Sequence, residues 1–528
     1  MDAVMNRAAG EKGEEIMLKL PAIFSDHMIL QRRKPVAIWG ESDAEKITVC
    51  IQDAHVVTYV KDGQWRTLLP PMEAGGPYDL TVTTDTGEQV VYKDVEYGEV
   101  WLAGGQSNME LELQNSKDGA DAVAEAHDSL VRYYYVPKVA YECDELYEQE
   151  AKSSWELCNP QNVGRWSAVG YYFARKLAAQ LEVPVGIIGC NWGGTSASCW
   201  MSREALESDK VISSYIEEYD EATKDLDLDA YIKERDEYIV YQAEFDRKCK
   251  EYYETEPNPT WEGALAVCGE NKYPGPVGPR SEVRPAGLYE TMIKRITPYT
   301  LAGFLYYQGE NDDTKPKAYY NLLTRLIRQW REDWSDDKLP FMIVQLPMFK
   351  NAGDEDFKNW PLIREAQHRV YRTVKNTGLA VILDKGEFNN IHPVDKQPVG
   401  ERLALQAMYH VYGMNNAVRA YGPFYQSCYT IKSYMWLIFN HAKTGIVCTG
   451  EKPVGFEVAG QDKVFYPADS VMIQDNQVRL FSSNVKKPIY ARYNWVNYGE
   501  VNMFGQNGLP MAPFRTSMHD DEPTCSRG

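Results

Sequence analysis

A strand, a turn and a helix follow one another in Gly98-Glu-Val-Trp-Leu-Ala-Gly-Gly-Gln-Ser107-Asn-Met-Glu110. The apolar residues predict a short strand, the paired glycines a tight turn, and Ser107 the start of a helix. A helix N-terminus carries unpaired N–H groups and a partial positive charge. A serine placed there can attack a carbonyl carbon while nearby N–H groups hold the oxyanion. The same position is also typical of a serine that only caps the helix, so other segments must decide between the two.

The segments around this stretch also alternate between strands and helices. Strand-like and helix-like runs alternate over residues 96–205 and again over residues 282–412, which predicts a parallel α/β sheet. Residues 206–281 interrupt that pattern, with apolar side chains at helical spacing from Tyr231 to Tyr252. This stripe indicates packing, and it predicts a helical insertion, a hairpin, between the two parts of the core.

The flanking segments are β-like. Residues 17–95 alternate polar and apolar residues and turn at Asp62-Gly63, which predicts an N-terminal β-sandwich. Residues 413–517 predict a C-terminal β domain, and residues 518–528 a disordered tail. The expected fold class is therefore α/β: a parallel-sheet core with a helical insertion, flanked by β domains.

Composition narrows the choice of partner and compartment. The 528 residues suffice for about three domains. The 56 basic and 76 acidic residues give a net charge of −20, which disfavours nucleic acid and anionic membranes as partners and suits a neutral carbohydrate.

The first sixteen residues lack the apolar region of a secretory signal, and no apolar run is long enough to span a membrane. None of the ten cysteines forms a C-x-x-C pair. We expect free thiols in the cytoplasm, the alternative being a secreted protein whose signal has been removed. Composition leaves the oligomeric state open.

Two more loops follow predicted core strands. The first is Gly189-Cys-Asn-Trp-Gly193-Gly194-Thr-Ser, and the second is Gln308-Gly309-Glu310-Asn311-Asp312. Open α/β sheets place their sites at the carboxyl ends of the strands, where such loops meet. Paired glycines let the backbone approach a ligand and present an N–H group, and an asparagine amide supplies a further donor.

A general base is found among only eight histidines. His392, in Asn389-Asn390-Ile391-His392-Pro393, alone lies at the end of a predicted core strand. His27, in Ser25-Asp26-His27, imitates a catalytic triad along the sequence but lies in the β region. Triad members meet in space and not at adjacent positions, so His392 is the predicted base.

Taken in order, these motifs resemble those of the SGNH hydrolase superfamily, and more closely the sialate O-acetylesterase family of carbohydrate esterases. The resemblance extends over residues 18–517. The further matching segments are Leu20–Gln31, Arg284–Tyr289 and Gly508–Arg515.

The resemblance implies a carbohydrate O-acetylesterase that works through an acetyl-serine intermediate, with no metal or other cofactor. Ser107 would be the nucleophile and His392 the base. The substrate would be an acetylated sialic acid or an acetylated plant-type oligosaccharide. The implied oxyanion hole comprises the N–H groups of Ser107 and of Gly193 or Gly194, together with the Asn311 side chain. The implied site-lining residues are Gln106, Gln308 and Glu310, the last two also as supports of Asn311.

One position departs from the family pattern. An aspartate usually stands two or three residues before the histidine, where this chain has Asn390 and Asn389. An asparagine carbonyl can orient an imidazole, although it stabilises imidazolium less than a carboxylate does. Asp384 and Glu387 are near enough in sequence to substitute, and a Ser–His dyad oriented by a backbone carbonyl is a further alternative. The departure also allows a competing interpretation, a non-catalytic carbohydrate-binding protein on a degenerate esterase scaffold.

Overall fold

The computed structural model describes residues 18–257 and 260–521. The prediction about the first sixteen residues therefore lies outside the described residues, as do residues 522–528 of the predicted tail. The nine cysteines in the described ranges are free thiols. No helix in these ranges combines the length and the apolarity that crossing a bilayer requires.

Eleven of the thirteen strands of the N-terminal region and the core form one continuous sheet. The strands are β1 (Ile29–Gln31), β2 (Val36–Glu41), β3 (Lys46–Ile51), β4 (Ala54–Tyr59), β5 (Gln64–Leu69), β6 (Gly75–Thr84), β7 (Gln89–Gly105), β8 (Val131–Tyr135), β9 (Glu156–Leu157), β10 (Val185–Asn191), β11 (Gly303–Tyr307), β12 (Phe341–Gln345) and β13 (Thr377–Val381). The core order is β13-β12-β11-β7-β10-β8-β9, parallel except for β9. These strands are buried on both faces, as expected of a parallel sheet covered by helices.

Strand β7 joins the two regions. Its first half pairs antiparallel with β6, which continues to β3 and β4, while β2 and β5 form a separate ladder. Its second half lies between β10 and β11 at the centre of the core. The predicted boundary between residues 95 and 96 thus falls inside one strand.

Helices cover the core sheet and form the insertion. They are α1 (Ser107–Glu110), α2 (Gly119–Ala124), α3 (Asp144–Glu150), α4 (Ala168–Leu181), α5 (Arg203–Glu207), α6 (Ser214–Thr223), α7 (Leu228–Thr255), α8 (Trp261–Cys268), α9 (Lys294–Ile296), α10 (Tyr319–Asp333), α11 (Asn359–Thr373) and α12 (Gln397–His410). In the insertion, α7 buries Tyr231, Tyr238 and Phe245 and packs on α8. Its Arg235 pairs with Glu282 of the chain that returns to the core.

The C-terminal strands form three small antiparallel sheets. They are β14 (Phe424–Ile431), β15 (Tyr434–Asn440), β16 (Ile446–Cys448), β17 (Phe456–Ala459), β18 (Phe465–Pro467), β19 (Ser470–Gln474), β20 (Gln477–Phe481), β21 (Tyr490–Tyr493), β22 (Met503–Gly505) and β23 (Phe514–Arg515). Arg515 forms two hydrogen bonds of 2.8 Å with Glu365 of α11, which ties this region to the core. The predicted fold class is confirmed.

The predicted disordered tail is wrong for residues 518–521. Asp520 is fully buried and accepts two hydrogen bonds of 2.8 Å from Arg492 of β21. It also accepts one from Arg515, at 2.9 Å. Because a buried carboxylate needs such cationic partners, this ion pair fixes the chain just beyond β23.

Candidate active site

The candidate loops converge because their strands are neighbours in the sheet. Ser107 follows β7, the Gly193-Gly194 turn follows β10, and the Gln308–Asp312 loop follows β11. Since β7 lies between β10 and β11 and all three are parallel, their carboxyl ends meet at one edge. His392 arrives from the loop between β13 and α12, two strands farther along that edge.

Ser107 and His392 are in hydrogen-bond contact, with 2.8 Å between Oγ and Nε2. The turn before Ser107 depends on Gly105, whose φ of 136° lies in a region that L side chains rarely adopt. A Cβ at this position would lie 2.1 Å from the carbonyl oxygen of Tyr307. Only glycine therefore lets β7 stay beside β11 up to the turn that presents the serine.

The imidazole of His392 lacks the acid that a catalytic triad provides. The residue is exposed, and within the described ranges no side chain or carbonyl accepts a hydrogen bond from Nδ1. The protein packed around the ring, and then the Lys396 ammonium, lower the pKa of His392 to about 4, against an opposing effect of Glu110. The imidazole is therefore neutral near neutral pH.

The two carboxylates proposed as orienters have other partners. Asp384 forms hydrogen bonds of 2.5 and 2.8 Å with the guanidinium of Arg402 in α12. Glu387 accepts the Asn390 amide at 2.7 Å and the Val394 N–H at 3.0 Å. Their hydrogen bonds fix the fold of the His392 loop, and neither carboxylate bonds to the imidazole.

The two asparagines also hold the backbone and not the ring. Asn389, with a φ of 62°, accepts the N–H of Ala352 at 3.1 Å. Asn390 accepts the backbone N–H of His392 at 3.0 Å. None of the four candidate orienters forms a hydrogen bond with the His392 ring.

Of the oxyanion-hole candidates, Gly193 lies beside Ser107, but its N–H donor is occupied. A Cβ on Gly193 would lie 3.3 Å from the Ser107 Cβ, so this backbone lies close to the serine. The Gly193 N–H donates to Glu110 Oε2 at 2.5 Å, and the other oxygen of Glu110 accepts Lys138 at 2.5 Å. Gly194 has a φ of 69°, and its carbonyl accepts the hydroxyl of Tyr273 at 2.8 Å.

Asn311 is exposed in the short 3₁₀ turn Glu310–Asp312, with its backbone held by Gln106. The Gln106 side chain is buried and its Oε1 accepts the Asn311 N–H at 3.2 Å. Gln308 instead donates to Asp312 at 2.6 Å. Support of Asn311 by Gln308 and Glu310 is therefore corrected to support by Gln106, the residue before Ser107.

Glu310 takes part in a buried network under the site. Its Oε1 accepts the Asn108 amide at 2.6 Å, and the oxygen of that amide accepts Lys396 Nζ at 2.5 Å. Burial raises the pKa of Glu310 and lowers the pKa of Lys396.

Four residues that form hydrogen bonds at the site were not predicted from the sequence to belong to it: Glu110, Lys138, Tyr273 and Lys396. Glu110 and Lys396 lie within quoted motifs, but nothing in the order of the residues indicates which atoms they meet. Tyr273 belongs to the insertion, so only the fold reveals its contact with Gly194. The described residues contain no group of three or more His, Cys, Asp or Glu side chains able to hold a metal ion.

Comparisons with known proteins agree with this architecture. The family described as carbohydrate esterase, sialic acid-specific acetylesterase, matches residues 280–408. A carbohydrate acetylesterase from Xanthomonas citri has 31% identity and a TM-score of 0.75, and the match covers 95% of this chain and 100% of that one. Sialate O-acetylesterase of Mus musculus is 29% identical over 453 residues, 78% of this chain and 76% of the relative. For the Homo sapiens enzyme the identity is 27% over 447 residues, 78% of this chain and 73% of the relative.

Proposed function

Since the chain belongs to the carbohydrate esterase family of sialic acid-specific acetylesterases, we propose that it removes O-acetyl groups from carbohydrates with Ser107 as the nucleophile. The observation that carries this proposal is the 2.8 Å contact between Ser107 Oγ and His392 Nε2 at the carboxyl edge of the sheet. A hydroxyl within hydrogen-bond reach of a neutral imidazole is the arrangement that nucleophilic acyl transfer requires.

The reaction proceeds in two steps. His392 Nε2 takes the Ser107 proton while Oγ attacks the acetyl carbonyl carbon, and the resulting tetrahedral oxyanion collapses as the bond to the sugar oxygen breaks. The imidazolium returns the proton to that oxygen, and the sugar alcohol leaves. Water then attacks the acetyl-serine, gives its proton to His392, and releases acetate and the free serine.

Solvent takes the place of the triad acid in this mechanism. For Nε2 to accept the serine proton, the neutral ring carries its own proton on Nδ1. His392 is exposed as a whole residue, and the mechanism requires that water reach Nδ1 and accept its hydrogen bond. The proposed machinery is therefore a Ser–His dyad whose histidine is held through its backbone.

We expect the two nearby carboxylates to affect stability more than chemistry. Glu387→Gln keeps an oxygen for the Val394 N–H, so kcat/KM should stay within about tenfold of wild type. Asp384→Asn leaves the Arg402 guanidinium without its carboxylate and should lower the melting temperature more than Glu387→Gln does. Acetate release and thermal denaturation measure both effects. A hundredfold loss in either variant, with the fold intact, would identify a third catalytic residue.

The proposed oxyanion hole requires a rearrangement at Glu110. Its carboxylate holds the Gly193 N–H that an oxyanion would use, and two negative charges cannot share that donor. Substrate binding therefore has to displace Glu110 toward Lys138, or the second donor comes from Gly194. Asn311 is free of that competition, because the residue is exposed and its side-chain amide forms no hydrogen bond with the described residues.

Asn311→Ala tests the amide donor. Loss of one such donor should lower kcat about a hundredfold, because the donor stabilises the oxyanion that is present only in the transition state. KM and the melting temperature should change little, since the backbone N–H that bonds to Gln106 is kept. Asn415→Ala, at an exposed position in the turn after α12, is the matched control and should be neutral. An equal loss in both variants would remove Asn311 from the proposed hole.

A panel of substrates tests the function itself. Acetate release from acetylated xylan, acetylated mannan and O-acetylated sialic acid separates the polymer class from the acidic monosaccharide. The net charge of −20 favours the neutral substrates. A fluorophosphonate probe tests the competing interpretation, a non-catalytic binding protein, because only an activated serine reacts with it. Absence of both acetate release and labelling would overturn the proposal.

A further inference from the structure

Three buried polar side chains beneath Ser107 and His392 have no part in the mechanism above. Asn108 is fully buried in α1, Lys396 is 1% exposed just before α12, and Glu310 is 4% exposed after β11. Burying an ammonium and a carboxylate is costly unless both are well paired. Within the described chain, however, Glu310 Oε2 has no hydrogen-bond partner. A cluster so costly at the reaction site calls for a function beyond packing.

The Asn108 carboxamide links the members of this cluster. Its nitrogen donates to Glu310 Oε1 at 2.6 Å and to the carbonyl oxygen of Ile391 at 2.9 Å. Its oxygen accepts Lys396 Nζ at 2.5 Å. An ammonium can only donate, whereas a carboxylate oxygen and a carbonyl oxygen accept. The three partners therefore select one of the two amide orientations, and Lys396 is the partner that fixes the oxygen end.

This orientation ties the nucleophile's helix to the histidine's loop. Asn108 is the residue after Ser107, and Ile391 is the residue before His392. The bond from the Asn108 side chain to the Ile391 carbonyl therefore joins the helix to the backbone of the histidine loop, one residue away from each reacting side chain. A flipped amide would set its oxygen against that carbonyl and break the tie.

We propose that Lys396 is a positioning residue of the esterase reaction: by fixing the Asn108 amide, it holds the His392 loop against the Ser107 helix. The inference rests on the proposed function. It explains how a histidine without a bonded acid keeps its 2.8 Å contact with the serine. The tie acts on the backbone at Ile391, whereas a triad acid acts on the ring itself.

The charge of Lys396 also affects the pKa of the His392 imidazole. The groups that face Lys396 are Glu310, Glu387, Asp395 and the ring of Tyr307, whose centroid is 5.3 Å from Nζ. His392 experiences the Lys396 ammonium, which lowers its pKa, and the Glu110 carboxylate, which raises it. Removing the ammonium should therefore raise the pKa of His392 and move the acidic limb of the kcat/KM profile to higher pH.

Two substitutions at Lys396 separate geometry from charge. Lys396→Met removes both the hydrogen bond to Asn108 and the positive charge. It should lower kcat by about a hundredfold with little change in KM, because displacing a catalytic group by about an ångström costs about that much. Its acidic limb should move to higher pH. Lys396→Arg keeps the charge but cannot place a single ammonium on the Asn108 oxygen. It should lose kcat while its limb stays at the wild-type pH. Lys375→Met, an exposed lysine between α11 and β13, is the control for loss of one charge and should be neutral.

A double variant keeps the test decisive if Lys396→Met fails to fold. Lys396→Met/Glu310→Gln removes both buried charges together and leaves no unpaired carboxylate. If it folds with kcat still about a hundredfold low and the limb shifted, the inference holds. Wild-type kcat and an unshifted limb in this variant would overturn it, because Lys396 would then serve only to balance Glu310. Acetate release and fluorophosphonate labelling of the wild type report separately on the proposed function.

Discussion

Ser107→Ala is expected to reduce acetate release from acetylated sugars by at least about a thousandfold. The substitution removes Oγ, the only atom that forms the covalent bond in the proposed mechanism, while Ala can still begin α1. His392 then has no proton to accept, and the residual rate comes from substrate binding and the oxyanion donors alone. The N-cap of α1 is Gln106 and not Ser107, so the substitution removes no capping hydrogen bond and the melting temperature should change little.

The measurement pairs acetate release with fluorophosphonate labelling of the same preparations. Labelling should disappear with Ser107→Ala and persist with Ser433→Ala, an exchange in the turn between β14 and β15. Thermal denaturation shows whether both variants are folded. If Ser107→Ala kept more than about a tenth of the wild-type rate, the nucleophile would have to be sought elsewhere.

The positions of the candidate site residues could be predicted because they depend on strand order. Ser107, Gly193 and Asn311 each follow an apolar run of core-strand type, and parallel strands deliver their carboxyl ends to one edge. The structure adds that β7 lies between β10 and β11, which brings the three loops next to one another. The length of β7 could not be predicted, because its residues change from alternating to continuous burial where the strand passes from the N-terminal part to the core part of the sheet, and such a change of pattern suggests a domain boundary.

The partners of the side chains could not be predicted from sequence. Asp384 is eight residues from His392, yet Arg402, one turn and a half into α12, takes both of its oxygens. Nearness along the chain is therefore a poor guide to which carboxylate meets an imidazole. Lys396 meets Asn108 across 288 positions of sequence, and only the folded chain shows that contact. The buried ion pair of Asp520 could not be predicted either, because nothing in the polar run His519-Asp520-Asp521 indicates that one of two adjacent carboxylates is buried.

The second large effect is expected for His392→Gln, which should lower kcat/KM by about a thousandfold. Glutamine fills a similar volume but cannot take the serine proton, so both steps lose their base. The chain offers a control in His27, which differs from His392 in having an acidic partner, with 2.7 Å between Nδ1 and Asp94 Oδ2. His27→Gln should keep wild-type activity, because this pair lies in the N-terminal strands and not at the carboxyl edge of the core.

The pH profile of the wild type decides how His392 is activated. Only the neutral imidazole is a base, so kcat/KM should fall as pH drops through the pKa of His392, about 4, and stay flat up to neutral pH. An acid bonded to Nδ1 would stabilise the imidazolium and move this limb above the ordinary histidine value of about 6.5. In a Ser–His dyad close to the positive charge of Lys396, the acidic limb of the kcat/KM profile lies below that value instead. A limb measured near pH 7 would therefore reject the dyad and require a carboxylate to swing onto the ring, with Glu387 the nearest in sequence.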